Sequence, residues 1–161
     1  MQQQRTDPAP FEPVDSDVGG RATLSSRRRR GDLGIVAVVA VGGMVGAAAR
    51  YLIGSLWTAP PGGFPWATSA VNVSGCALIG VLMVLVSDVW TRRRLLRPFL
   101  GTGVLGGYTT FSTYTVDIQR LVAAGHAGIA LIYLAGTAAA AFVAVWATAN
   151  ATRKLVTRRM R

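Results

Sequence analysis

The chain has 161 residues, 51% of them hydrophobic, with 17 Lys and Arg against 7 Asp and Glu and a mean hydropathy of +0.39. It is too apolar for an ordinary soluble domain and short enough to be one unit. The net charge of +10 does not point to nucleic acid, because the basic residues cluster beside apolar blocks, as membrane orientation and anionic headgroups require. A lone Cys76 excludes an intrachain disulfide and, inside an apolar block, reads as a small buried residue.

Residues 1 to 32 are polar, rich in Pro, Gly and Ser, and without period, so this stretch is predicted to be a disordered tail. The block from Leu33 is longer than the apolar core of a signal peptide and more blocks follow it. Arg27 to Arg30, directly before that block, read as an inside anchor. At about 20 residues per crossing, four apolar blocks give an all-α membrane protein of four spans.

The first span is predicted at about Leu33 to Trp57. Gly42, Gly43 and Gly46 give small-residue spacings that suggest close helix contact. Arg50 is the charge well inside a span. Two readings stand for it: snorkelling to headgroups, or facing a water-filled vestibule that draws anions. The second span runs from about Trp66 to Trp90 and contains Asn72, then Ser74, Gly75 and Gly80. An intramembrane Asn either pairs with a neighbouring helix or offers a donor to a dehydrated anion.

The third span, about Pro98 to Val122, holds the stretch GTGVLGGYTTFSTYTVD from Gly101 to Asp117. Its four glycines each cost about 1 kcal/mol against Ala in a helix interior. The hydroxyls of Thr109, Thr110, Ser112 and Thr113 compete for backbone groups. A helix broken at membrane depth is tolerated where protein or water lines the break, and its two half-helix ends can hold ions. The prediction is a break around Gly106 to Thr109, with Phe111 and Tyr114 sharing a face three residues apart. An ion site and a Gly-rich packing seam both fit this pattern.

The fourth span is predicted at about Gly128 to Ala151, followed by a basic tail over residues 152–161. Tyr133 and Thr137 stack at i, i+4, either as belt residue and neighbour or as a polar track. His126, in the preceding loop, is expected to face solvent. Arg21, Arg27 to Arg30, Arg92 to Arg94, Arg97, Arg153, Lys154, Arg158, Arg159 and Arg161 fall on one side of such a bundle, with Arg120 and Arg50 on the other. The bias predicts a cell-membrane protein with both termini cytoplasmic.

The segment GVLGGYTTFSTY, together with VNVSG in the second span and GGMVGAAARY in the first, resembles the CrcB/Fluc family of fluoride channels. The resemblance covers about Leu33 to Ala151. It implies a passive, fluoride-selective channel that lets a cell shed the anion, built as a dimer of antiparallel four-span subunits with a structural sodium ion at its centre. By motif position, the backbone carbonyls of Gly106 and Thr109 would hold sodium. Phe111 and Tyr114 would be pore aromatics, with Asn72, Ser112 and Thr113 nearby. Tyr133 and Thr137 resemble the polar track of the last span, and Arg50 the vestibule arginine. The chemistry is coherent, since positive ring edges and neutral donors replace fluoride's water without a full charge that would trap it.

Three departures from the family pattern stand out. Tyr114 occupies the usual second Phe position, Asp117 the usual Glu, and Ala141 and Val145 replace hydroxyl residues of the track. The unbalanced Lys/Arg distribution adds an expectation the family does not: an antiparallel pairing with a separate, oppositely oriented homologue. The alternative of another class is a small four-span proton-coupled drug exporter, which needs a protonatable carboxylate at membrane depth, for which Asp117 is the candidate. A scaffold whose glycines only pack helices is a third reading. Nothing marks an enzyme: there is no phosphate-binding loop, nucleophile–base pair or His/Cys cluster.

Overall fold

The structure, a computed structural model, describes the backbone of residues 17–88 and 95–159 and the side chains of residues 32–88 and 95–158. The chain divides into Met1–Leu33 and Gly34–Arg161. All described elements are helical: α1 (Asp17–Leu56), α2 (Trp66–Asp88), a π-helical segment (Pro98–Leu105), α3 (Gly106–Tyr108), α4 (Phe111–Ala123) and α5 (Ala127–Arg159). Among the described residues, three stretches are long and apolar enough to cross a membrane: Asp32–Leu56, Trp66–Asp88 and Ala127–Arg158. The fourth crossing segment is the interrupted one, from Pro98 to Ala123.

Two helices run past the span limits read from the sequence. α1 begins at Asp17, inside the stretch expected as a disordered tail up to residue 32. Little apolar surface removes a reason to pack, but it leaves the helix propensity of Arg, Ala and Leu intact. Residues 1–16 lie outside the described part, as do the side chains of Arg27 to Arg30 and the loop carrying Arg92 to Arg94. At the other end α5 continues through the expected tail to Arg159, because no Gly or Pro follows Ala151 to stop it. The second span ends at Asp88, with Trp90 outside the described residues.

Glycine seats α1 on the interrupted segment. A methyl group added at Gly42 would lie 2.6 Å from the Phe99 carbonyl oxygen, and one at Gly103 would lie 2.9 Å from that of Val39. At Gly46 it would run into the Val104 carbonyl, and at Gly107 into that of Gly43. Two backbones therefore meet with no side chains between them, the contact predicted from the small-residue spacings. The same device recurs on α2, where Gly75 accommodates the Thr109 methyl and Gly80 the Thr148 hydroxyl.

On the opposite side α2 packs against α5, more extensively than α4 does. A cluster of Tyr114, Leu121, Ala130 and Tyr133 fastens α4 to α5, with Phe64, Ile118 and Ile129 against it. Phe64 arrives from the loop after α1 and meets the Tyr133 ring edge-on at 5.2 Å. Gly62 turns that loop with φ +73° and lies under the exposed imidazole of His126.

Candidate functional site

The helix breaks at the far end of the stretch expected to break, Gly106 to Thr109. Gly106 is helical, with φ −65° and ψ −35°. Thr109 and Thr110 are extended, at φ −75°, ψ 155° and φ −147°, ψ 124°. Glycine's poor helix propensity is overridden on either side of Gly106, where Gly103 and Gly107 lie against the α1 backbone and need glycine in a helix. The hydroxyl-rich pair after it gives way instead.

Two side chains hold the break open. Asn72 of α2 pairs with both main-chain groups of Thr110: Oδ1 accepts from its N–H at 2.8 Å, and Nδ2 donates to its carbonyl at 2.9 Å. Thr110 Oγ1 in turn accepts from the Thr113 N–H at 3.2 Å and starts α4 as its N-cap. In an unbroken helix the Thr110 N–H would close on Gly106 and the Thr113 N–H on Thr109. Both donors are diverted to side chains, so the carbonyls of Gly106 and Thr109 lose their helical partners. These are the two carbonyls marked by motif position, and Gly106 is exposed on the face of the chain.

Before the break, the segment Pro98–Leu105 winds as a π-helix, and the Gly106 N–H reaches back five residues to the Gly101 carbonyl. Such widened turns are rare and often sit at functional sites. No residue pattern in the sequence foretold it.

Two cavities flank the break, and Thr110 lines both. One, about 430 Å³, is walled by Arg50, Ser55, Thr68, Thr110 and Thr113 among others. Arg50, half-buried, lines this first cavity. The other, about 410 Å³, is walled by Asn72, Cys76, Phe111, Tyr114, Thr137 and Ala141 among others. Thr110 itself is only 8% exposed, the most buried threonine of the motif.

The two motif aromatics do line one cavity, with ring centroids 6.1 Å apart. Their exposures differ sharply: Phe111 is 80% exposed and Tyr114 is 7%. The Tyr114 hydroxyl donates to the Leu134 carbonyl of α5. Its ring lies 5.0 Å from that of Tyr133. Ser112 is exposed, with its hydroxyl 3.4 Å from that of Thr110.

A seam of hydroxyls ties α2, α4 and α5 together. Tyr133 is fully buried, which removes the belt reading, and its hydroxyl donates to Asp117 at 3.4 Å. Thr68 donates to the same carboxylate oxygen at 2.8 Å. Thr137, 4% exposed, pairs with Ser69 at 3.0 Å. Thr68, Ser69 and Asn72 fall at i, i+1 and i+4 on α2, spacing that marks one flank of a helix. That spacing could have signalled Thr68 and Ser69, which were passed over. Elsewhere on α2, Ser74 meets the Tyr108 hydroxyl at 2.9 Å. No buried polar side-chain atom among the described residues lacks a partner.

The fold and this site together define a multi-span helical membrane protein with an interrupted helix between two cavities. A family model described as CrcB-like protein, Camphor Resistance (CrcB), matches residues 37–149. A protein of Streptomyces avermitilis named Fluoride-specific ion channel FluC 2 is 59% identical over 122 residues, 73% of this chain and 77% of its own. One of Streptomyces coelicolor named Fluoride-specific ion channel FluC 1 is 53% identical over 139 residues, covering 86% and 90%. One of Nocardia farcinica, Fluoride-specific ion channel FluC 2, is 52% identical over 130 residues, covering 76% and 93%.

The chain belongs to the CrcB family. Its relatives are named as ion channels, so this is a channel family and not an enzyme family. The drug-exporter alternative gains no support: its candidate carboxylate, Asp117, is engaged by Thr68 and Tyr133.

Proposed function

We propose that the chain is the subunit of a passive, fluoride-selective channel that exports the anion from the cytoplasm. The observation that carries the reading is the break at Thr109 and Thr110, held by Asn72, with a cavity on either side that Thr110 lines. Arg50 draws anions into the first cavity. Past Thr110 the second cavity offers the ring edges of Phe111 and Tyr114 and the remaining N–H of Asn72. These are neutral donors, numerous enough to replace water and weak enough to let the ion leave.

Sodium fits at the carbonyls of Gly106 and Thr109. Both oxygens have lost their helical donors, and carbonyls at a half-helix end carry partial negative charge that suits a hard cation. When bound, the ion supplies a fixed positive charge that pins the break. The exposure of Gly106 and Phe111 supports an assembly in which a second, antiparallel subunit covers them. The one-sided basic residues support a partner of opposite orientation rather than a second copy, with both termini of this chain in the cytoplasm.

Efflux from liposomes, followed with a fluoride electrode, tests the proposal. The expected outcome is fluoride release without chloride release when the chain is reconstituted with an oppositely biased homologue. Equal release of both ions, or none with any partner, would overturn it.

A further inference from the structure

The C-terminal half of α5 carries two concavities, one above the other. The lower is apolar, about 560 Å³, lined by Phe142, Val143, Val145, Trp146 and Ala149. The upper is basic, about 420 Å³, lined by Asn150, Arg153, Lys154, Thr157 and Arg158. Phe142, Trp146, Ala149, Arg153 and Thr157 follow at three- and four-residue steps, so both concavities open on one helix face. Phe142 and Trp146 are 75% and 70% exposed.

The polar members without charge are already satisfied on the helix itself. Asn150 Nδ2 donates to the Trp146 carbonyl and Thr157 Oγ1 to that of Arg153. The three cations are left to define the ligand, and no carboxylate stands among the described lining residues. From Phe142 to Arg153 the axis rises about 16 Å at 1.5 Å per residue, a span matching an acyl chain running up to its headgroup. The change from apolar to basic falls within one turn, just above a tryptophan, as at a membrane–water boundary.

We propose that this composite groove binds one anionic phospholipid. Its phosphate meets Arg153, Lys154 and Arg158, and an acyl chain lies along Phe142, Val143 and Trp146. Guanidinium and ammonium donors suit a phosphate diester, and a free phosphate would leave the apolar half empty. Phe142 also walls the cavity beside Asn72 and Phe111, so lipid retention, not efflux, is the readout.

Native mass spectrometry of the full chain, with phosphatidylglycerol or phosphatidylcholine supplied, reads the binding. Wild-type protein should retain the anionic lipid preferentially, and R153Q/K154Q/R158Q should lose that preference by on the order of tenfold. Brominated phosphatidylglycerol should quench a fluorescence component that W146F lacks. F142A should weaken lipid retention without changing binding of inorganic phosphate, and excess phosphate should not displace the lipid. Circular dichroism and gel filtration check that each variant folds; if the triple variant does not, R153Q alone serves. Equal retention of both lipids, or full displacement by phosphate, would overturn the proposal. So would a Trp146 that escapes quenching because a second copy, captured by a V143C crosslink, covers it.

Discussion

Asn72 is the side chain on which the geometry of the break turns. It replaces a missing stretch of main-chain pairing by offering Thr110 one acceptor and one donor at once. Leaving such a group buried and unpaired costs about 1–3 kcal/mol. Asn72→Ala strands two of them, so we expect a fall in thermal midpoint and at least a tenfold loss of fluoride efflux. Asn72→Asp keeps the acceptor for the Thr110 N–H and should restore part of the thermal midpoint, which scanning fluorimetry in detergent can follow.

Tyr114 invites the opposite outcome. Its hydroxyl is spent on the Leu134 carbonyl, so Tyr114→Phe should cost only about 1 kcal/mol in stability and leave efflux within about twofold. A collapse of efflux would mean that the hydroxyl meets the ion after all. Cys76 provides a third test, because it lines the cavity that holds Asn72 and Phe111. A small methanethiosulfonate reagent should block efflux through the wild-type chain and leave Cys76→Ala unaffected, as recorded by the same electrode.

At the scale of elements, the α1 contact separates glycines that look alike in the sequence. A methyl at Gly46 strikes the Val104 carbonyl, whereas one at Gly43 meets nothing nearer than the Gly103 oxygen at 4.0 Å. Gly46→Ala should therefore lower stability by about 1–3 kcal/mol, the usual range for overpacking. Gly43→Ala should be nearly silent, and thermal unfolding of the two variants side by side checks the contrast. The spacing of Gly42 and Gly46 announced such a seam, and a break in the third span could be read from the glycines and hydroxyls of residues 101–113. Its place within Gly106 to Thr109 could not. Locally, Gly106 is the weaker helix former, and only Asn72 beside Thr110 sets the break at the far end of that stretch. The π-helical winding of Pro98–Leu105 had no residue signature, because it is set by which carbonyl the Gly106 N–H reaches. The Asp117 cluster was half legible: the acid and Tyr133 stood out, while Thr68 looked like an ordinary helix threonine until its partner appeared.

For the whole molecule, the uneven exposure of the two motif aromatics matters most. Tyr114 belongs to the interior that joins α4 to α5, and Phe111 stands on the outside of the chain. A ring placed so is wasted in a lone subunit, which agrees with a conduit completed by a second chain. If the partner is a distinct homologue, expression of this chain alone should give little efflux. Co-expression should then restore it, with tags on this chain reporting cytoplasmic termini. Full efflux from the single product, with its termini on both faces, would assign the partner role to a second copy.

The Asn72 pairing also bears on how the protein is made. Half of what interrupts the third crossing is supplied by a side chain some forty positions earlier in the polypeptide. A fragment spanning only residues 98–123 has the Thr110 cap yet nothing to draw the neighbouring amide away from its own spiral. During biogenesis such a segment should enter the bilayer as a nearly straight rod and acquire its gap on docking beside α2. A conduction path through the break would then be a late product of assembly, absent from any of its parts.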